Sequence, residues 1–197
     1  MKFKLILAST SPRRSELLEK AGFKFLVDSV KVSEIIDENL NPRDAVMQLA
    51  RLKALTLVEE RKLMKSKGKL VLGADTMVLV DDQLLGKPED EAQARQFLDQ
   101  MSGRSHSVVT GFCLVVTETG EAVCAYDETK VWFKQLSLKN IEDYIKSGEP
   151  LGKAGAYAIQ GEGGKLVDHI EGSLSNVIGL PMEKLESVLR QKRWELT

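Results

Sequence analysis

Two charged residues stand where burial is expected. The run Leu70 to Val80 is apolar on both faces, with Leu72, Ala74, Val78 and Val80 on one side and Val71, Met77 and Leu79 on the other. Asp75 interrupts the second face. An isolated buried carboxylate is costly, so Asp75 must pair with a neighbouring Arg or Lys, bind a metal, or sit where the strand opens to a ligand and activate water. Lys53 poses the matching question. At 100° per residue Val46, Leu49, Ala50 and Leu57 form one stripe of a helix, and Lys53 lies at its centre. Its ammonium either snorkels to the surface or reaches a buried anion, for which Asp75 or a substrate phosphate would serve.

A third group suits anions. Ala8-Ser9-Thr10-Ser11-Pro12-Arg13-Arg14 joins an apolar strand to a helix, so free backbone N–H groups and the positive end of a helix dipole meet three hydroxyls and two guanidiniums. Arginine adds paired hydrogen bonds to non-bridging phosphate oxygens. An isolated Ser-Pro-Arg-Arg would be an ordinary helix start with surface arginines; its place directly after a buried strand is what favours polyphosphate. Glu34 after the second strand and Lys87 between Gly86 and Pro88 lie in loops, where functional side chains accumulate. Glu149 to Gly161 is glycine-rich without the spacing of a P-loop, and its glycines permit close approach of backbone to a ligand.

The elements that must hold these residues follow from periodicity and punctuation. Strands are expected over residues 4–8, 25–32 and 70–80, a short return at 84–85, then 107–117, 121–134 and 165–170. Helices are expected over 12–21, from Pro42 to about Lys65 behind an Asn41 cap, over 89–101, over 138–146 behind Ser137, and from Pro181 to about Trp194. Strands alternating with helices, together with hairpins, imply a mixed α/β sheet with flanking helices, read as one domain over 1–197.

Composition narrows the function. Of 197 residues 43% are hydrophobic, and 28 Lys plus Arg face 29 Asp plus Glu, for a formal charge of −1. No global field exists to hold a nucleic-acid backbone or an anionic membrane, so any phosphate site is local. No stretch approaches the roughly 20 apolar residues of a membrane span. His106 and His169 lack metal-ligand spacing, and Cys113 and Cys124 read as reduced structural thiols. A cytoplasmic protein is expected, with any metal bound through oxygen.

Taken in order, Leu7 to Leu18 (LASTSPRRSELL), Gly73 to Thr76 (GADT), Gly86 to Pro88 (GKP), Met101 to Gly111 (MSGRSHSVVTG), Glu149 to Gly161 and Asn176 to Pro181 (NVIGLP) resemble the Maf family of nucleotide pyrophosphatases, also called septum formation inhibitor proteins. The resemblance implies an elongated α/β fold like the inosine triphosphate pyrophosphatase architecture, with two lobes around a nucleotide cleft. It implies hydrolysis of a nucleoside triphosphate to the monophosphate and pyrophosphate. By position, Asp75 would accept a proton, Glu34 and Asp75 would hold Mg²⁺ or Mn²⁺, and Ser9, Arg13, Arg14, Lys53 and Lys87 would handle phosphates. Arg13, Thr76 and Gln160 match positions associated with substrate choice.

The Ala74-Asp75-Thr76 block and the Ala154 to Gly161 loop look like the branch acting on dTTP and UTP; the 7-methyl-GTP branch differs in that loop. One departure is Gly152, where an Asp often stands before the Lys. A homodimer is also implied. The competing readings are a purine or 7-methyl-GTP pyrophosphatase and a non-catalytic, nucleotide-binding regulator of septum formation.

Overall fold

The computed structural model describes residues 1–33 and 40–197. Among them, an eight-stranded mixed sheet runs in the order β2-β1-β3-β5-β6-β7, with β4 paired to β3 and β8 to β1. The strands are β1 (Lys2–Ala8), β2 (Phe25–Asp28), β3 (Lys69–Val80), β4 (Gln83–Leu85), β5 (Ser105–Val116), β6 (Ala122–Phe133), β7 (Val167–Glu171) and β8 (Glu195–Leu196). The helices are α1 (Pro12–Lys20), α2 (Pro42–Glu60), α3 (Glu91–Met101), α4 (Leu138–Lys146), α5 (Leu174–Ile178) and α6 (Met182–Lys192). The chain forms two compact units: one of Met1–Asp75, Thr110–Asp127 and Gly179–Thr197, the other of Thr76–Val109 and Glu128–Ile178.

In the first unit β1 lies parallel to β2 on one side and to β3 on the other, with Leu7 beside both Val27 and Leu72. Alternation sorts the two faces. Phe3, Leu5 and Leu7 of β1 and Leu70, Leu72 and Ala74 of β3 join Leu18 of α1 and Leu185, Val188 and Leu189 of α6 in one core. Ile6, Ala8 and Val71 face the other way, onto Ala50, Ala54, Leu57 and Val58 of α2. The chain thus covers the first face with α1 on its way to β2 and the second with α2 on its way back across to β3. Such a reversal beside β1 is the place where open parallel sheets present ligand sites at their strand C-termini.

α2 starts as expected: the Asn41 side chain accepts from Asp44 N at 3.0 Å, and Pro42 fills the first turn. It stops at Glu60 rather than Lys65. Leu63 N returns to the Val58 carbonyl at 2.8 Å and its side chain packs back on the core, so the chain turns through Lys62 and Lys65 at positive φ to enter β3. β2 ends at Asp28 rather than Val32, where both carboxylate oxygens take the Arg61 guanidinium at 2.8 Å.

Cys113 and Cys124 correct a further expectation. They are joined as a disulfide, Cα atoms 4.0 Å apart. Only a short turn, closed by Val116 N donating to the Glu121 carbonyl, separates β5 from β6, and that register places the two thiols opposite each other.

The second unit packs Leu98 and Met101 of α3 and Ile141, Tyr144 and Ile145 of α4 with Val78, Val108, Val131 and Phe133 of its strands. α4 carries the Ser137 cap in full, with Asn140 returning the bond to the Ser137 amide. Residues 151–164, expected as loop, hold a short 3-10 turn at Ala154–Ala156 and the start of a second, Glu162–Leu166, which takes up the first two residues of the strand expected over 165–170, so that β7 begins at Val167. Among the described residues, no helix is long and apolar enough to cross a membrane.

Candidate functional site

In the first unit the two misplaced charges meet. Asp75 lies on the β3 face that α2 covers, and Lys53 Nζ donates to its Oδ1 at 2.5 Å with both side chains largely buried, 16% and 14% exposed. The pairing satisfies what each residue requires by itself, an anion for the lysine and a cation for the aspartate. It depends on α2 lying very close to the sheet. A Cβ at Gly73 would overlap the Ala50 carbonyl and lie 2.9 Å from Ala54 N; one at Gly111 of β5 would lie 2.7 Å from the Val46 carbonyl carbon. Two glycines on neighbouring strands therefore form the trough in which the helix that carries Lys53 is seated.

The turn after β1 is organised by Arg14. Its Nε donates to the Gly179 carbonyl at 2.8 Å and its Nη1 to Ser9 Oγ at 3.1 Å, while Ser9 Oγ accepts from Ser11 N at 3.2 Å. Ser9 is buried. The carbonyl from Gly179 explains part of the Asn176 to Pro181 block: it orients a guanidinium far away in sequence. β1 ends one residue past the Leu7–Leu72 pair and Asp75 stands three past it, so the Ser9–Arg14 turn and the Lys53–Asp75 pair lie toward the same end of adjacent parallel strands. Arg13 occupies the second position of α1.

Thr76, Lys87 and Gln160 belong to the second unit. There Gly155 N donates to the Gly86 carbonyl at 3.0 Å, joining the loop before Lys87 to the 154–156 turn, and a Cβ at Gly155 would meet Val78 at 2.8 Å. Lys87 and Gln160 are exposed. His106 is buried, its Nε2 sharing a 2.8 Å hydrogen bond with the Tyr157 hydroxyl, and burial lowers its pKa to about 4. It is thus a neutral core histidine. Asn176 is fully buried and donates to the Val108 carbonyl at 2.9 Å and to Thr129 Oγ1 at 3.0 Å.

Glu34, the other expected metal ligand, lies outside the described residues. Among those described, no three His, Cys, Asp or Glu side chains gather as a metal cage. Asp75 fits a share in an oxygen-bound cation, since among the described residues its side chain is engaged by Lys53 through Oδ1 alone.

A family model described as "Maf-like protein" matches residues 4–192. The chain belongs to this family. The Maf-like chain is 46% identical over 189 residues to the dTTP/UTP pyrophosphatase of Bdellovibrio bacteriovorus, covering 96% of this chain and 98% of that protein. It is 48% identical to the protein of that name from Desulfitobacterium hafniense, covering 94% and 83%, and 42% identical to that of Clostridioides difficile, covering 95% and 94%. A solved nucleoside-triphosphatase / dITP/XTP pyrophosphatase of Mycobacterium abscessus shares 20% identity at a TM-score of 0.43 over 98% of this chain and 96% of that one, too distant to carry argument.

Proposed function

We propose that this chain hydrolyses dTTP and UTP to the nucleoside monophosphate and pyrophosphate. The observation that carries the reading is the Lys53–Asp75 pair beside the Ser9–Arg14 turn at the reversal point of the sheet. The names of relatives at 42 to 48% identity support the choice of reaction and base. We take both units as parts of one functional domain, in keeping with the family match over 4–192.

In this reading Asp75 accepts the proton of the water that attacks the α-phosphorus, with Lys53 holding the carboxylate in place. Arg13, the Ser9 hydroxyl and the turn's backbone amides bind phosphate oxygens, and Arg14 arranges that turn through Ser9 and Gly179. Lys87 adds positive charge against the charge that spreads onto the phosphates. Thr76 and Gln160 serve base choice, Gln160 offering both a donor and an acceptor to a pyrimidine edge. A divalent cation, Mg²⁺ or Mn²⁺, would be held by Asp75 and Glu34 and would supply Lewis-acid polarisation of the phosphoryl group. The cytoplasmic setting and the homodimer expected from the sequence are part of this reading.

The test is a substrate panel of dTTP, UTP, CTP, GTP and 7-methyl-GTP, with pyrophosphate release as readout. Turnover concentrated in dTTP and UTP is expected; preference for a purine, or nucleotide binding without pyrophosphate release, would refute it.

A further inference from the structure

Gln160 is exposed and sits between two short 3-10 turns, Ala154–Ala156 and Glu162–Leu166, so its direction depends on how the backbone on either side is held. What holds the backbone on either side is one carboxylate. Glu149, just beyond α4, is half-buried and receives three hydrogen bonds: the Tyr144 hydroxyl at 2.8 Å and Gly163 N at 3.0 Å on Oε1, and Glu162 N at 3.0 Å on Oε2. The Tyr144 oxygen in turn accepts from Ala158 N at 3.3 Å. Residues 158, 162 and 163 are thereby tied to α4, and they bracket Gln160.

Two glycines of this segment make room for the clamp. A Cβ at Gly161 would overlap Glu149 Oε2 and lie 2.6 Å from Cδ, and one at Gly163 would lie 2.7 Å from the Tyr144 oxygen. Burial by itself would raise the Glu149 carboxyl. The amides of Gly163 and Glu162, the Tyr144 hydroxyl and the charge of Lys153 outweigh it and hold the group below the ordinary carboxylate range. The charged form is therefore the one that fastens the turn, and charge-assisted bonds of this kind are the strong ones.

We propose that Glu149, acting with the Tyr144 hydroxyl, is a positioning residue that sets the direction in which Gln160 is presented to the nucleotide base, and so a determinant of pyrimidine selectivity. The inference rests on the reading of Gln160 as a base-contacting residue, and the test separates the two.

Steady-state kinetics with UTP and GTP would be measured for the intact chain and for Glu149→Gln, Tyr144→Phe, Gln160→Ala and the Glu149→Gln/Gln160→Ala double variant, with thermal unfolding of each. In Glu149→Gln an amide NH₂ confronts a backbone N–H, so the clamp opens while the volume is kept. The expected result is a KM for UTP raised about tenfold with kcat little changed, and a UTP-over-GTP ratio of kcat/KM reduced about tenfold. The double variant should have the ratio of Gln160→Ala alone. Tyr144→Phe removes one of the three bonds to the carboxylate and should move the ratio the same way by about threefold, which keeps the test available if Glu149→Gln does not fold.

A collapsed ratio in Gln160→Ala with an unchanged ratio in Glu149→Gln, or in Tyr144→Phe where it stands in, would overturn the clamp and leave Gln160 its role. An unchanged ratio in Gln160→Ala would remove that role and the proposal with it. Loss of kcat and thermal stability in Glu149→Gln at constant selectivity would make Glu149 merely structural, against the proposal.

Discussion

Replacing Gly73 by alanine is expected to damage the site through the fold. The added methyl would overlap the Ala50 carbonyl and lie 2.9 Å from Ala54 N and 3.1 Å from Ala54 Cβ. The first two obstacles are backbone atoms of α2, which no rotamer change can move. Ordinary carbon contacts with oxygen and carbon lie at about 3.4 to 4 Å, so the helix must recede from β3 by about 1 Å. Lys53 is on the same turn of α2, three residues after Ala50, and moves with it. Its 2.5 Å contact to Asp75 would stretch past the range of a good hydrogen bond.

Overpacking of this kind costs about 1 to 3 kcal/mol, which for a chain of this size lowers Tm by roughly 5 °C. A displacement of about 1 Å at reacting groups lowers rate by about a hundredfold. Thermal unfolding by circular dichroism and kcat/KM from pyrophosphate release would be measured on the same preparation. A Gly73→Ala protein with the parent's Tm and parent activity would refute the claim that close seating of α2 sets the Lys53–Asp75 geometry.

Asp75→Asn should still fold but lose roughly 1 to 3 kcal/mol of stability, because Lys53 keeps a hydrogen-bond acceptor and loses its anion, and turnover of UTP should fall by roughly a hundredfold to ten-thousandfold, the range of a lost general base. Chelation with EDTA should abolish pyrophosphate release, and Mg²⁺ or Mn²⁺ should restore it; full activity in chelator would dispose of the cation. His106 carries a pH prediction. Its folded pKa of about 4 lies below the unfolded value of 6.5, so below pH 6.5 the unfolded chain takes up a proton that the folded unit refuses. Stability should fall as pH drops from 6.5 to 4 by about 3 kcal/mol on this account, with no contribution above that window. Denaturant titrations of the parent and His106→Gln across that range would show it, the variant lacking this part of the slope.

How much of this was legible in the sequence depends on the distance over which each residue acts. Lys53 and Asp75 stood out because each broke a periodic pattern of its own element, and their pairing was one of the alternatives that the sequence left open beside a surface-reaching lysine, a substrate phosphate and a metal-binding or water-activating aspartate. The α2 start could be read from Asn41 and Pro42 because capping is local. Its end could not, since Leu63 closes the helix by packing on a core assembled from distant strands. α5 has five residues and β8 two, too few to show a period, and β8 exists only because residues 195 and 196 reach β1 at the other end of the chain.

The Cys113–Cys124 disulfide required the β5–β6 register, which a pair of cysteines eleven residues apart does not announce. The same holds for the glycines. Their number between Gly152 and Gly164 was plain, but Gly161 and Gly163 are explained by a carboxylate and a phenol from α4 and its end, contacts that spacing alone does not reveal.

The reaction itself is the central claim, and oxygen-isotope labelling addresses it most directly. UTP would be hydrolysed by the purified protein with Mg²⁺ in ¹⁸O-water, and the products separated and weighed by mass spectrometry. Water attack at the α-phosphorus predicts UMP carrying one ¹⁸O and pyrophosphate carrying none. UDP with labelled inorganic phosphate, or label in pyrophosphate with unlabelled UMP, would contradict it.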